Sequence, residues 1–142
     1  MILCDVNVLV YAHRAECANH VAYRTWLEEA INAEGAFATS DIVLSGFIRV
    51  VTHPRIFREP SELGDALAFT SQLIAPETCV RVTPGPRHWR LFDRLCRDSG
   101  AKGNPVPDAF LAALAIESGC EWITTDRGFS RFPGLRWRHP LQ

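Results

Sequence analysis

Apolar and polar positions fall along this chain in blocks that read as short strands, each followed by amphipathic helix. Met1 to Val6 is an apolar run interrupted only by Asp5, and Asn7 to His13 continues as a helix or turn. From Ala18 to Ala33, the residues Val21, Ala22, Trp26, Leu27, Ala30 and Ile31 keep the spacing of one helix face until Glu34-Gly35 ends it. Ala36 to Thr39 predicts a second strand. Ser40 or Asp41 can cap the next helix, whose apolar face runs through Val43, Leu44, Phe47, Ile48 and Val51 to His53-Pro54. After a loop from Arg55 to Pro60, Ser61-Glu62 opens another helix reaching Ile74, and Val80 to Val82 reads as a third strand. Pro86 suits a helix start, His88 to Arg97 carries Trp89, Leu91, Phe92 and Leu95, and Ser99-Gly100 breaks the run. Ala109 to Glu117 is strongly helical and stops at Gly119; Trp122 to Thr124 is a fourth strand and Leu135 to Trp137 a candidate fifth. Strands alternating with helices predict an α/β domain spanning residues 1–142, with a mostly parallel sheet of four to five strands covered on both faces.

Composition narrows the class. At 142 residues the chain is long enough to bury a core without disulfide or metal staples, and no apolar stretch reaches the length of a membrane span, so a cytoplasmic protein is expected. The five cysteines are scattered and never form Cys-x-x-Cys, which argues against a disulfide or zinc framework; the five histidines show no i, i+4 pairing. The net charge of −1 hides an asymmetry: residues 1–80 hold 5 basic against 10 acidic side chains, and residues 81–142 hold 10 against 6. Arginine matches phosphate oxygens bidentately, so the basic second part suits a nucleic-acid partner, although spaced helical arginines are also an ordinary solvated face. Trp89, Phe92 and Trp122 read as core, with base stacking as the alternative.

The chemistry centres on Asp5, Asp108 and Asp126, which sit where apolar segments meet polar chain. A strand that ends in a carboxylate at the carboxyl edge of a parallel sheet delivers its charge into the crevice where open α/β folds bind ligands. Asp108, in the first turn of its helix, is favoured by free backbone N–H groups whether or not it has a further role. Converging carboxylates repel one another, and a hard, oxygen-seeking cation such as Mg²⁺ or Mn²⁺ relieves the repulsion.

In this order and spacing, Asp5-Val6-Asn7, Val43 to Pro54, Asp108 to Ala115, Thr124 to Phe129 and Phe132 to Leu135 make the chain resemble the PIN-domain nucleases, and within them the VapC-like toxins of bacterial toxin–antitoxin pairs. The resemblance implies a three-layer α/β/α fold, Mg²⁺- or Mn²⁺-dependent endoribonuclease activity on RNA, a homodimer and a cognate antitoxin. It assigns Asp5, Asp108 and Asp126 as catalytic metal ligands. Asn7, Thr124 and Thr125 are candidates to orient carboxylates or water, Arg127 to hold phosphate, and Arg49 to contact substrate, an antitoxin carboxylate or an internal acid. Two departures thin the site: Gly46 stands where most such nucleases carry a glutamate, and Gly128 where a second closing aspartate is often found. Asp41 and Glu117 point elsewhere on their helices and cannot simply substitute. A catalytically inert module that binds RNA or protein is the main alternative; a phosphatase using Asp5 as nucleophile is weaker, because Asn7 stands where its acid–base aspartate is wanted.

Overall fold

β1 (Ile2–Cys4) lies at the middle of a five-stranded parallel sheet because its short apolar run can be buried on both faces; Leu3 and Cys4 are almost wholly inaccessible in the computed structural model, which describes residues 1–142. The strands run β3-β2-β1-β4-β5, with β2 at Phe37–Thr39, β3 at Cys79–Arg81, β4 at Glu121–Ile123 and β5 at Trp137–Arg138. Leu3 pairs in register with Ala38 on one side and Trp122 on the other. The chain winds outward from β1 to β3, then returns to lay β4 against the free side of β1. The order therefore reverses between β1 and β4, and their carboxyl ends flank the crevice where such sheets bind ligands.

Six helices cover the sheet. α1 (Val6–His13) packs on α2 (His20–Asn32) and α3 (Asp41–Val51), and α3 packs on α4 (Leu63–Ile74), forming one layer. α5 (His88–Ser99) pairs with α6 (Pro105–Ser118), which packs on β4 in the second layer. The crossover changes sides as strand order reverses, as right-handed connections require. α6 can lie deep because it is nearly all small: Ala109, Ala112, Ala113 and Ala115 are inaccessible beside Leu114. No helix is long and apolar enough to cross a membrane.

Several boundaries differ from the sequence expectation. α6 begins at Pro105, not after Pro107-Asp108, since both prolines fall in the first turn, where a missing N–H costs nothing. Ser40 occupies the N-cap position of α3 without a side-chain cap bond, and Asp41 instead pairs with Arg81 across the sheet edge. Trp89 is not core: it is 69% exposed on α5, whereas Trp122 is fully buried and Phe92 half-buried. The helix period of α5 allows a flanking aromatic, and His88 and Leu95 already fill its inner face.

Glu117 sits at the far end of α6 and accepts from Gly85 N–H at 2.6 Å and Arg87 N–H at 2.8 Å, capping the start of α5. Glu117→Ala is expected to cost about 1 kcal/mol in urea unfolding, the usual scale of a lost helix cap, and to leave the carboxyl edge of the sheet unchanged. A loss below a few tenths of a kcal/mol would show that the cap contributes nothing.

Candidate active site

The first carboxylate arises from the turn that joins β1 to α1. Asp5 N–H still donates to Ile123 O at 2.8 Å, holding its backbone in the sheet, while its Oδ1 accepts from Val6 N–H at 2.7 Å and caps α1. It is thus strand end and helix cap together. Its other oxygen, Oδ2, accepts from the Thr124 hydroxyl at 2.6 Å and from Asn7 Nδ2 at 3.2 Å.

Thr124 is the hub of this arrangement. Its side chain is inaccessible, and besides donating to Asp5 its Oγ1 accepts from Asp126 N–H at 3.0 Å and Asn7 Nδ2 at 3.3 Å. Asn7 Oδ1 accepts from Thr125 N–H at 3.4 Å, so Thr125 joins through its backbone; its hydroxyl has no partner. The segment after β4 is thereby tied to the segment after β1, two stretches 119 residues apart in sequence.

Asp126 caps a 3₁₀ turn (Arg127–Arg131), its Oδ1 accepting from Gly128 N–H at 2.7 Å. Asp108 lies in the first turn of α6, half-buried. The three carboxylates grade from buried Asp5 through Asp108 to exposed Asp126. Burial chiefly pushes the Asp5 carboxyl up to about 6, against the pull of its Thr124 and Val6 hydrogen bonds, and the charges of Asp108 and Asp126 push it further. Asp108 is raised by burial and then by Asp126, with Arg131 opposing. Asp5 therefore feels the charge of both other carboxylates, and Asp108 that of Asp126.

This donor set is all oxygen, which suits a hard cation. No three His, Cys, Asp or Glu side chains close tightly enough to cage an ion by themselves. Asp5, Asp108 and Asp126 are the residues that could hold a hard cation.

The remaining candidates divide. Arg127 is exposed and lines a basic hollow of about 280 Å³ with Trp137, Arg138, His139 and Gln142, away from any acid partner of its own. Arg49 is exposed on α3 without an ion-pair partner, so the internal-acid reading does not hold. Gly46 sits where α3 packs on the start of α1: an added Cβ would meet Val6 Cγ2 at 3.1 Å, so the glycine leaves room for Val6. At Gly128 an added Cβ would lie 2.9 Å from Asp126 Oδ1 and 3.1 Å from Arg131 Nη2. The lack of a side chain there lets Asp126 fold back onto the turn and lets Arg131 fill the space. Arg131 is the residue that reading the sequence missed. In the sequence it is one arginine of the basic C-terminal group with Arg127, Arg136 and Arg138, and the short 3₁₀ turn that aims it has no hydrophobic periodicity to set it apart.

Comparison with known proteins places the chain. The PIN domain family model matches residues 2–135. VapC ribonuclease Mb2897 of Mycobacterium bovis is 49% identical over 141 residues, covering 99% of this chain and 96% of that protein. Ribonuclease VapC25 of Mycobacterium tuberculosis is 39% identical over 140 residues, covering 99% of each. Among solved structures, VapBC2 from Rickettsia felis bound to a promoter DNA fragment superposes with a TM-score of 0.71 at 18% identity, covering 98% of each chain. The sarcin–ricin loop cleaving toxin VapC20 of Mycobacterium tuberculosis superposes at 0.63, also at 18% identity, over 96% of this chain and 99% of that one; these two likenesses speak for the fold. With the family model and the close relatives both running nearly end to end, the chain belongs to the PIN-domain family, in its VapC-like branch.

Proposed function

We propose that this chain is a divalent-metal-dependent endoribonuclease that acts as the toxin of a toxin–antitoxin pair. The observation that carries the reading is that Asp5 stands at the sheet's switch point, held by Thr124 and Asn7, with Asp108 and Asp126 near enough for their charge to reach it. Relatives named VapC ribonucleases support RNA as substrate, and structural neighbours solved as VapBC complexes support an antitoxin partner. The homodimer rests on family resemblance.

In the hydrolysis, a water oxygen bonds to phosphorus, one phosphorus–oxygen ester bond breaks, and the departing ribose oxygen takes up a proton. The products are a phosphomonoester and a free hydroxyl. Mg²⁺ or Mn²⁺, when bound, supplies charge neutralisation at the phosphoryl oxygens and makes water more acidic. The chain's own residues do the rest. Asp5, Asp108 and Asp126 hold the cation; Thr124 and Asn7 fix which Asp5 lone pairs remain free to face the crevice. One of the three carboxylates takes the proton of the attacking water.

One observation favours an inert, RNA- or protein-binding module instead: neither Gly46 nor Gly128 offers a carboxylate, so the acidic site is sparse. Cleavage of a mixed cellular RNA pool separates the readings. The wild-type chain is expected to cut with Mg²⁺ or Mn²⁺, and EDTA is expected to stop it. Undiminished cleavage in EDTA would overturn the metal site, and RNA binding without cleavage under either metal would establish the inert module.

A further inference from the structure

The charge balance at the crevice is unfinished. Three ionised carboxylates and one divalent cation leave a net charge of about −1, into which a phosphodiester of charge −1 must move while further negative charge develops on its oxygens. A second positive group is needed, and the chain's acidic side chains are too few to hold another ion there.

Arg131 has the position to meet that need. Its Nε donates to Gly128 O at 2.8 Å, which fixes the plane of the guanidinium across the 3₁₀ turn. Its Nη2 occupies the room left by the absent side chain of Gly128, beside the Asp126 carboxylate, and its charge reaches Asp108. Despite that proximity it forms no ion pair with Asp126 or Asp108. The residue is exposed, so its remaining N–H groups are open to solvent beside Asp126. A guanidinium anchored by one nitrogen, with its fork unspent, is suited to the two non-bridging oxygens of a phosphate. Arg127, one turn earlier, cannot serve, because it faces the hollow beside Trp137 and His139.

We propose that Arg131 grips the scissile phosphate of the RNA and stabilises the charge that grows on its non-bridging oxygens, standing in for a second metal ion. The identity of the ligand rests on the nuclease reading. The grip itself is a contact between a fixed guanidinium and a phosphodiester, and can be tested without turnover.

Two arms test it. In the first, Arg131→Ala is expected to lower kcat/KM for RNA about 10²- to 10³-fold, mainly through kcat, the scale for losing one charge-stabilising donor. Added guanidinium, far below unfolding concentrations, is expected to restore part of that loss in Arg131→Ala and none in Asp5→Asn. Arg131→Lys is expected to keep more activity than Arg131→Gln. In the second arm, the Asp5→Asn chain in EDTA binds a fluorescein-labelled single-stranded RNA dodecamer, read by anisotropy against salt. Adding Arg131→Gln is expected to reduce the slope of log K against log salt by about 0.7, one phosphate contact on a single strand. Arg97→Gln, whose guanidinium pairs with Asp93, is the comparison. Activity of Arg131→Ala within threefold of wild type overturns the proposal, as does an unchanged salt slope. If wild type cuts no RNA but the slope still falls with Arg131→Gln, the phosphate grip stands and the nuclease reading falls.

Discussion

Replacing Asp5 by asparagine is expected to abolish RNA cleavage and, in the same molecule, to make the metal-free protein more stable at neutral pH. Cleavage should fall by about 10³-fold or more, the scale for removing one member of a catalytic group that acts as a unit. The stability gain follows from the carboxyl's position. Its folded-state value of about 6 lies above the ordinary 3.8, so the folded chain holds this proton more tightly than the unfolded chain does. The stability this provides is fully present below pH 3.8 and is lost as pH rises through about 6. At pH 7.5 the ionised, buried Asp5 therefore weighs against the fold by roughly 3 kcal/mol at most. Asparagine removes the charge but places an amide N–H₂ among Asn7 Nδ2 and a Thr124 hydroxyl that already accepts two bonds, so the net gain is expected to be about 1–2 kcal/mol. Urea unfolding in EDTA at pH 7.5 and pH 4.5 measures it. The gain should be present at the higher pH and shrink at the lower; equal stabilities at pH 7.5 would show that the buried charge does not weigh on the fold. Mg²⁺ should raise the wild-type unfolding midpoint more than the variant's.

Thr124→Val should damage activity too, by less than the loss of Asp5, although valine has the same shape. The hydroxyl is inaccessible and holds three partners, so its loss strands the Asp126 N–H and an Asn7 N–H and removes the shortest hydrogen bond to Asp5. Unmet buried donors cost about 1–3 kcal/mol each, less where solvent can reach them from the crevice, so a loss of about 2 kcal/mol in unfolding free energy is expected. The Thr124 bond is also what lowers the Asp5 carboxyl against burial. Without it the carboxyl should move further upward, and the cleavage profile of the valine variant should shift to higher pH. Cleavage at neutral pH is expected to drop about 10- to 100-fold. Thr124→Ser should restore both the rate and the pH profile. A valine variant with an unshifted profile would mean that the hydroxyl does not govern Asp5.

How much of this is legible in the sequence depends on whether a feature has a local signature. Strand and helix order does, because each element writes its own hydrophobic period, and the apolar run ending at Asp5 marks the strand that proves central. The start of α6 does not, because proline both begins and breaks helices, and only the three-dimensional first turn shows which it does at Pro105 and Pro107. Trp89 reads wrongly as core because hydrophobicity alone does not say which flank of α5 meets a neighbour. At the candidate site, Asp5 and Asp126 are legible as carboxylates at strand ends. The hub at Thr124 is visible only as one polar group among several, since its three bonds come from residues distant in sequence and from a backbone N–H. Arg131 is invisible because a 3₁₀ turn sets its direction.

The hydrogen bond from Thr124 to Asp5 also bears on when the protein becomes active during its own synthesis. β1 leaves the ribosome ahead of β2 and can pair with it early, but its other edge must wait for β4, made much later. Domains assemble as their residues emerge from the N-terminal end onward. Until β4 docks, Asp5 lacks its hydroxyl partner and Asp126 has no anchor. A chain in which β4 has not docked is therefore expected to leave RNA intact, however much of its helical layer has formed.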